Sequence, residues 1–219
     1  FPYYFYDYQI KDNLDLDQDH RLTFTRFYGD DVLDFSYEDP SETVRNENVT
    51  IQQESQFGLD WPWGNQTNGL TWRWIVSPKM ISKTFLSNSR YRFDFDLSFQ
   101  SRDTYTYIDS TVINFTNFNW NIYDIIKDQT LESEIQYKYS NDHEITSGFQ
   151  IKNIKFDLGI RYDLGTQDTS FTWNPLSLKN NTQEISFFLQ DRWEVSKRLK
   201  IRSGLRLTDY NLHKKIYAD

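Results

Sequence analysis

Three histidines, His20, His143 and His213, are the only imidazoles in the 219-residue chain, and imidazole is the group most suited to acid–base or metal chemistry near neutral pH. His20 follows Asp19 and His143 follows Asn141-Asp142 in short polar turns, which reads as solvated turn chemistry rather than a ligand set. Asp15, Asp17 and Asp19 have the alternate spacing that opens a calcium loop. His20, however, stands where that loop needs Gly, and Arg26 replaces its bidentate Glu. Glu132 and Glu134 are paired carboxylates two residues apart, but they alternate with Leu131, Ser133 and Ile135, the pattern of a strand with one wet face. Ser203-Gly204 lacks the strand–turn–helix setting of a nucleophile elbow. There is no cysteine and no glycine-rich phosphate loop. No catalytic residue, cofactor or metal is expected, and the chain is not expected to be an enzyme.

The elements that carry these residues are legible in the composition. Apolar residues are only 37% of the chain, yet 15 Tyr, 17 Phe and 7 Trp bring aromatics to 18%. Mean hydropathy is −0.76. Disordered chains share the low hydropathy but are poor in rings; few aliphatics, many rings and much polar surface suit a sheet with one greasy and one wet face. A net charge of −8 argues against a nucleic-acid partner. No apolar run is long enough for a membrane-spanning helix, whereas a barrel strand needs only about 9–11 alternating residues. The chain starts Phe1-Pro2-Tyr3 with neither an initiator Met nor a signal peptide; for an exported protein the expectation is that the N-terminal part is missing.

Period-two reading predicts about eight strands in four hairpins: Tyr4–Leu16 with Arg21–Tyr28, Leu70–Ser77 with Thr84–Gln100, Leu131–Ser140 with Glu144–Phe156, and Thr182–Val195 with Leu199–Tyr210. Long polar loops are expected over 38–69, 101–130 and 157–181. Cross-strand neighbours share a face, so matching apolar positions predicts the registers. They set Leu16 beside Leu22 and Leu14 beside Phe24, Trp74 beside Phe85, and Tyr139 beside Ile145. In the last hairpin they set Val195 beside Leu199, Trp193 beside Ile201, Leu189 beside Leu205 and Phe187 beside Leu207. The first register makes Asp12 and Arg26 neighbours on the apolar face. Either they form an ion pair, or a bulge shifts the register and turns Arg26 to water.

These faces assign the residues. Leu14, Phe24, Trp72, Trp74, Tyr91, Phe93, Phe95, Leu97, Ile135, Phe149, Phe187, Leu189, Trp193 and Leu205 are expected to face lipid. Asp7, Gln9, Lys11, Arg73, Arg92, Asp94, Glu132, Glu134, Gln190, Arg192 and Arg206 are expected to line a water-filled side. Trp61, Trp63, Trp120 and Trp173 fall in the expected loops and are candidate ligand contacts.

Three segments resemble the barrels of TonB-dependent transporters of the Bacteroidetes type. Trp63-Gly64-Asn65-Gln66-Thr67, Leu70-Thr71-Trp72-Arg73-Trp74, Ser77-Pro78-Lys79 and Ser89-Arg90-Tyr91-Arg92-Phe93-Asp94-Phe95 are similar to that family's strand, "SPK" turn and "SRYxxxF" hairpin. Arg26-Phe27-Tyr28-Gly29-Asp30-Asp31 resembles a strand end, and Phe187-Phe188-Leu189-Gln190-Asp191-Arg192-Trp193 with Ser203-Gly204-Leu205-Arg206-Leu207 resembles the "FxQDxW…GLR" hairpin. The resemblance covers about half the chain, in order. It implies an all-β fold: residues 1–219 as part of the antiparallel transmembrane wall of a larger barrel of about 22 strands. That barrel would sit in the outer membrane of a Gram-negative cell. It also implies outer-membrane lipid, the rest of the barrel and its plug, and the TonB–ExbB–ExbD complex as partners, with a surface lipoprotein as a candidate cap. Two rivals are an independent eight-stranded structural or adhesion barrel and a soluble carbohydrate-binding β-sandwich.

Overall fold

A computed structural model describes residues 2–211 and 215–218. Among them the chain forms one antiparallel sheet of nine strands and no helix: β1 Tyr3–Asp15, β2 His20–Arg45, β3 Val49–Ser77, β4 Met80–Tyr107, β5 Thr111–Lys138, β6 His143–Thr166, β7 Ser170–Ser196, β8 Leu199–Tyr210 and β9 Lys215–Ala218. Every strand pairs with its sequence neighbours, and β1 and β9 do not meet, so the sheet is open.

Short polar side chains shape the four expected turns. The Asp17 carboxylate accepts the backbone N–H of Asp19 and His20, both at 2.8 Å. Ser77, Ser140 and Ser196 hydroxyls accept the N–H of Lys79 (3.3 Å), His143 (3.1 Å) and Leu199 (3.1 Å). Such bonds offer the backbone a turn in place of the ladder. At the opposite end the three expected long loops are absent. The strands run on, and the chain reverses over 46–48, 108–110 and 167–169 alone. β2 to β7 are therefore 24 to 29 residues long, more than twice what a bilayer requires. Val44 opposite Ile51 and Tyr105 opposite Val112 show why: these polar stretches carry enough β-branched and aromatic residues to hold a ladder.

Two of the four registers differ from expectation in position but not in face. Leu14 lies opposite Leu22 and Asp12 opposite Phe24; Tyr137 lies opposite Ile145. The fourth register holds at Trp193–Ile201, Leu189–Leu205 and Phe187–Leu207, but a bulge sets Ser196, not Val195, opposite Leu199. The second hairpin differs in kind. Trp74 faces Ser82 and Phe85 faces Thr71, with a bulge between Ile75 and Ser77. A slip by an odd number moves every β4 side chain to the other face.

Carried across the ladders, this defines a Trp72 face and an Arg73 face. Toward the Pro78 end the Trp72 face is apolar. Phe24, Leu70, Leu86, Leu131, Ile151 and Ile185 form one unbroken cross-strand row. Two residues nearer the Asn46 end, the next row on that face is Arg26, Asn68, Asn88, Gln129, Asn153 and Gln183. Beyond it the apolar set passes to the Arg73 face, as Leu33, Trp61, Phe93, Phe95, Trp120 and Ile160. The ladder is continuous through the switch in β2, β5 and β6, so the side chains change face, not the backbone.

The sheet has no conventional core. Among the described residues Val32 is the one buried hydrophobic side chain, whereas Asp30, Thr130, Thr182, Ser186 and Thr208 are buried. Phe187, Leu189 and Leu205 are 61%, 56% and 58% exposed. A water-soluble sheet does the reverse.

Candidate functional site

Near the Pro78 end, the Arg73 face carries a hydrogen-bonded network of mixed sign. Arg21 pairs with Asp15 at 2.5 Å and Lys83 with Glu134 at 3.4 Å. Gln150 donates to Glu132 and accepts from Arg206 at 2.8 Å; Arg206 also reaches Glu184 at 4.0 Å. Arg192 bridges Glu144 (3.7 Å) and Glu194 (3.1 Å), which Lys200 joins at 2.7 Å. Ser186 is wholly buried beneath this network and exchanges a hydrogen bond with Thr208 at 3.2 Å. Such a surface is built to stay hydrated.

Nearer the Asn46 end the same face becomes a wall of rings crossing the sheet. Tyr3 stacks on Trp63 (6.2 Å between centroids), Trp63 meets Trp61 (5.5 Å), and Trp61 takes Phe93 and Phe95 edge-on at 6.0 and 5.6 Å. Phe95 meets Trp120 (5.4 Å), Trp120 stacks on Tyr162 (6.0 Å), and Tyr162 on Trp173 (5.5 Å). Tilted, edge-on and offset rings at these spacings are mutually attractive. The buried indole nitrogens of Trp61 and Trp120 have no hydrogen-bond partner among the described residues.

The opposite, Trp72 face holds carboxylates at this level. Asp30 is paired with Arg92 at 3.4 Å, Asp157 with Lys179 at 3.2 Å and Asp163 with Arg161 at 2.8 Å. The Thr172 hydroxyl, donating at 2.6 Å, and Arg161 hold the Asp163 carboxyl below its ordinary pKa. Asp34, Asp60 and Asp96 stand side by side in one row. Burial, then the neighbouring carboxylates, push Asp60 up; burial and Asp94 push Asp96 up against the Asn119 and Asn121 amides.

Of the residues expected to face lipid, Leu14, Phe24, Trp72, Trp74, Ile135, Phe149, Phe187, Leu189, Trp193 and Leu205 share the Trp72 face. Tyr91, Phe93, Phe95 and Leu97 do not; they lie on the Arg73 face, in and beside the ring wall. Of the expected polar-face residues, Asp7, Gln9, Lys11, Arg73, Glu132, Glu134, Gln190, Arg192 and Arg206 share the Arg73 face. Arg92 and Asp94 lie on the Trp72 face instead. The correction is confined to β4 and follows from its register. Trp61, Trp63, Trp120 and Trp173 stand on β3, β5 and β7, not on loops, and the sheet brings them together.

Asp12 and Arg26 are not paired. Arg26 lies opposite Ile10 and donates to the Tyr8 hydroxyl (2.9 Å) and the Asn68 amide oxygen (3.3 Å). Asp15 is taken by Arg21 and Asp17 by its own turn, and no metal-ligand cluster occurs among the described residues. His20 stacks on Trp72 and Trp74, and His143 on Trp193 while bonding Asp191 at 2.8 Å. His213 lies outside the described residues. The row Tyr6–Asp30–Gly64–Arg92 and the ring of Tyr162 escaped sequence reasoning; the signal for both was the change of apolar parity along β2 to β6.

No protein-family model matches the chain, and no curated protein matches it. Solved structures do. The ferripyoverdine receptor of the outer membrane of Pseudomonas aeruginosa is 10% identical, with a TM-score of 0.53 over 99% of this chain and 36% of that one. The RagAB peptide transporter is 8% identical (TM-score 0.45; 98% and 33% covered). A variant of the ferric enterobactin receptor of Pseudomonas aeruginosa is 9% identical (TM-score 0.34; 99% and 40% covered). The chain thus spans between a third and two fifths of the length of these three structures. The first of these likenesses shows the fold: an open antiparallel all-β sheet similar to a section of a β-barrel.

Proposed function

We propose that this chain is a section of the wall of a TonB-dependent importer of the outer membrane. The carrying observation is the inversion of burial near the Pro78 end, where large apolar side chains are exposed on one face and hydroxyls are buried on the other. That inversion suits lipid on the Trp72 face and a hydrated lumen on the Arg73 face. On β7 the face positions Ile185, Phe187, Leu189, Trp193 and Val195, interrupted by Asp191 bonded to His143 at 2.8 Å, cover about ten residues, a bilayer's worth of tilted strand. The ring wall then lies on the lumen side above the membrane, where it serves as a stacking surface for the imported solute or for the plug. The strand lengths and the fold likeness favour a large barrel over an independent eight-stranded one. The matched proteins are a ferripyoverdine receptor, a ferric enterobactin receptor and a peptide transporter; for this chain a plug, the TonB–ExbB–ExbD complex and a surface lipoprotein are the partners that the reading implies.

Single-tryptophan versions of the full-length polypeptide, reconstituted with brominated phosphatidylcholine, test the reading. Trp72, Trp74 and Trp193 are expected to be quenched, and Trp61, Trp63 and Trp120 to be spared. Equal quenching of both sets would sink it. Co-purification of the full-length protein with the periplasmic domain of TonB tests the energised step, and its absence would leave a passive barrel.

A further inference from the structure

The Trp72 face carries a row of cations two rows above the apolar band. One row beyond Asn88, Gln129 and Asn153 stand Arg90, Lys127 and Lys155, directly opposite one another on β4, β5 and β6. All three are exposed. None has an ion-pair partner among the described residues, although Arg92, Lys179 and Arg161 nearby each have one. Like charges directly opposite on neighbouring strands repel, and with strands about 4.8 Å apart three cations are held within roughly 10 Å. Lys127 and Lys155 also line a groove of about 420 Å³ with Asn180, Asn181 and the pair Lys179–Asp157, whose carboxylate is taken by Lys179 at 3.2 Å, which leaves Lys127 and Lys155 as the groove's unpaired cations among the described residues.

We infer that Arg90, Lys127 and Lys155 form a binding site for the phosphate of a membrane lipid. The inference rests on the lipid-facing reading of the Trp72 face. Charge complementarity selects an anion. The position selects a lipid as its source: the row lies two rows above Phe24–Leu70–Leu86–Leu131–Ile151–Ile185, so an acyl chain lying on that band brings its headgroup to this level. The amides of Asn88, Gln129 and Asn153, between band and cations, offer further donors to phosphate oxygens. The anion relieves the repulsion that the bare row contains.

The test uses the full-length protein in detergent, titrated with dihexanoyl phosphatidic acid, dihexanoyl phosphatidylcholine and inorganic phosphate. The wild type is expected to bind phosphatidic acid at least tenfold more tightly than phosphatidylcholine or phosphate, and K127Q/K155Q to lose that preference. Stability should cross over: without anionic lipid at low salt the double variant melts higher, and with phosphatidic acid the wild type does. Inorganic phosphate competing as well as the lipid would overturn the lipid assignment. Failure of phosphatidic acid to bind, or a variant that keeps the preference, would overturn the site. If the brominated-lipid pattern holds while this fails, the importer reading survives alone; if both fail, the faces are misassigned.

Discussion

Asp30 and Gly64 lie directly opposite one another on β2 and β3, and the Asp30 carboxylate fills the space that a side chain at 64 would need. Asp30 is 7% exposed. It accepts hydrogen bonds from Tyr28 (2.5 Å) and Tyr6 (3.2 Å) and pairs with Arg92 at 3.4 Å, which reaches it across the bare backbone of Gly64. A Cβ at 64 would overlap both this carboxylate and the Gly29 carbonyl oxygen. Gly64→Ala should therefore destabilise the full-length protein by about 1–3 kcal/mol, the range for overpacking. Gly58→Ala, which meets only the Ser98 hydroxyl, should cost less. Urea unfolding midpoints at constant m-value check both; equal effects would show that the row does not hold Asp30.

Arg26 sits on the apolar-side face at the first polar row, and its partners decide whether it is tolerated there. It donates to Tyr8 at 2.9 Å and lies over that ring at 5.7 Å. A double-mutant cycle of Arg26→Met with Tyr8→Phe should give a coupling of about 0.5–1 kcal/mol. The same cycle with Asp12→Asn should give none. Coupling to Asp12 and not to Tyr8 would restore the ion pair that apolar matching alone suggests.

Much of this fold was legible because tight turns and alternation are local properties. Asp17 and Ser140 announce their turns, and Leu189–Leu205 and Phe187–Leu207 find each other by apolar matching alone. The β4 assignment failed because Tyr91 to Phe99 alternate so cleanly that one phase was extended to Phe85 and across the turn. Which face such a strand shows depends on the bulge at Ile75–Ser77, and bulges leave little trace in composition. The extended strands were hidden for a related reason. Once the apolar set moves to the other face, a single-phase reading sees only a polar loop. The ring wall shares that blindness, since Trp61, Trp120 and Trp173 are far apart in sequence and only strand pairing gathers them.

The carboxylate row on the Trp72 face gives a pH dependence. Asp60 and Asp96 have pKa values raised above the ordinary 3.8. A carboxyl with a higher pKa in the folded than in the unfolded chain holds its proton more tightly when folded. Its favourable contribution is present in acid and is lost as pH rises through the folded-state value. Above that range Asp60→Asn should stabilise the protein by about 0.5 kcal/mol, the scale of one relieved like-charge pair, and below pH 3.8 the gain should vanish. Unfolding midpoints of wild type and variant across that range check the sign. A gain that grows in acid would contradict it.

Arginine substitutions separate the two apolar populations most directly. In a bilayer, Arg on the lipid face near the midplane costs roughly 2–4 kcal/mol, falling toward zero at the interface. Leu189 and Leu205 stand opposite each other well inside the apolar band. Phe95 and Leu97 belong to the ring-bearing stretch of the Arg73 face, beyond the switch. Leu189→Arg and Leu205→Arg should therefore each lower folding free energy in lipid by that amount. Phe95→Arg should cost only its lost ring contacts with Trp61 and Trp120, about 0.5–1.5 kcal/mol beyond simple burial. The decisive comparison repeats both measurements with thinner and thicker bilayers. Penalties at 189 and 205 should change with thickness, because burial depth sets them, while that at 95 should not. A thickness-dependent penalty at Phe95 would put the Phe95 face of β4 against the lipid.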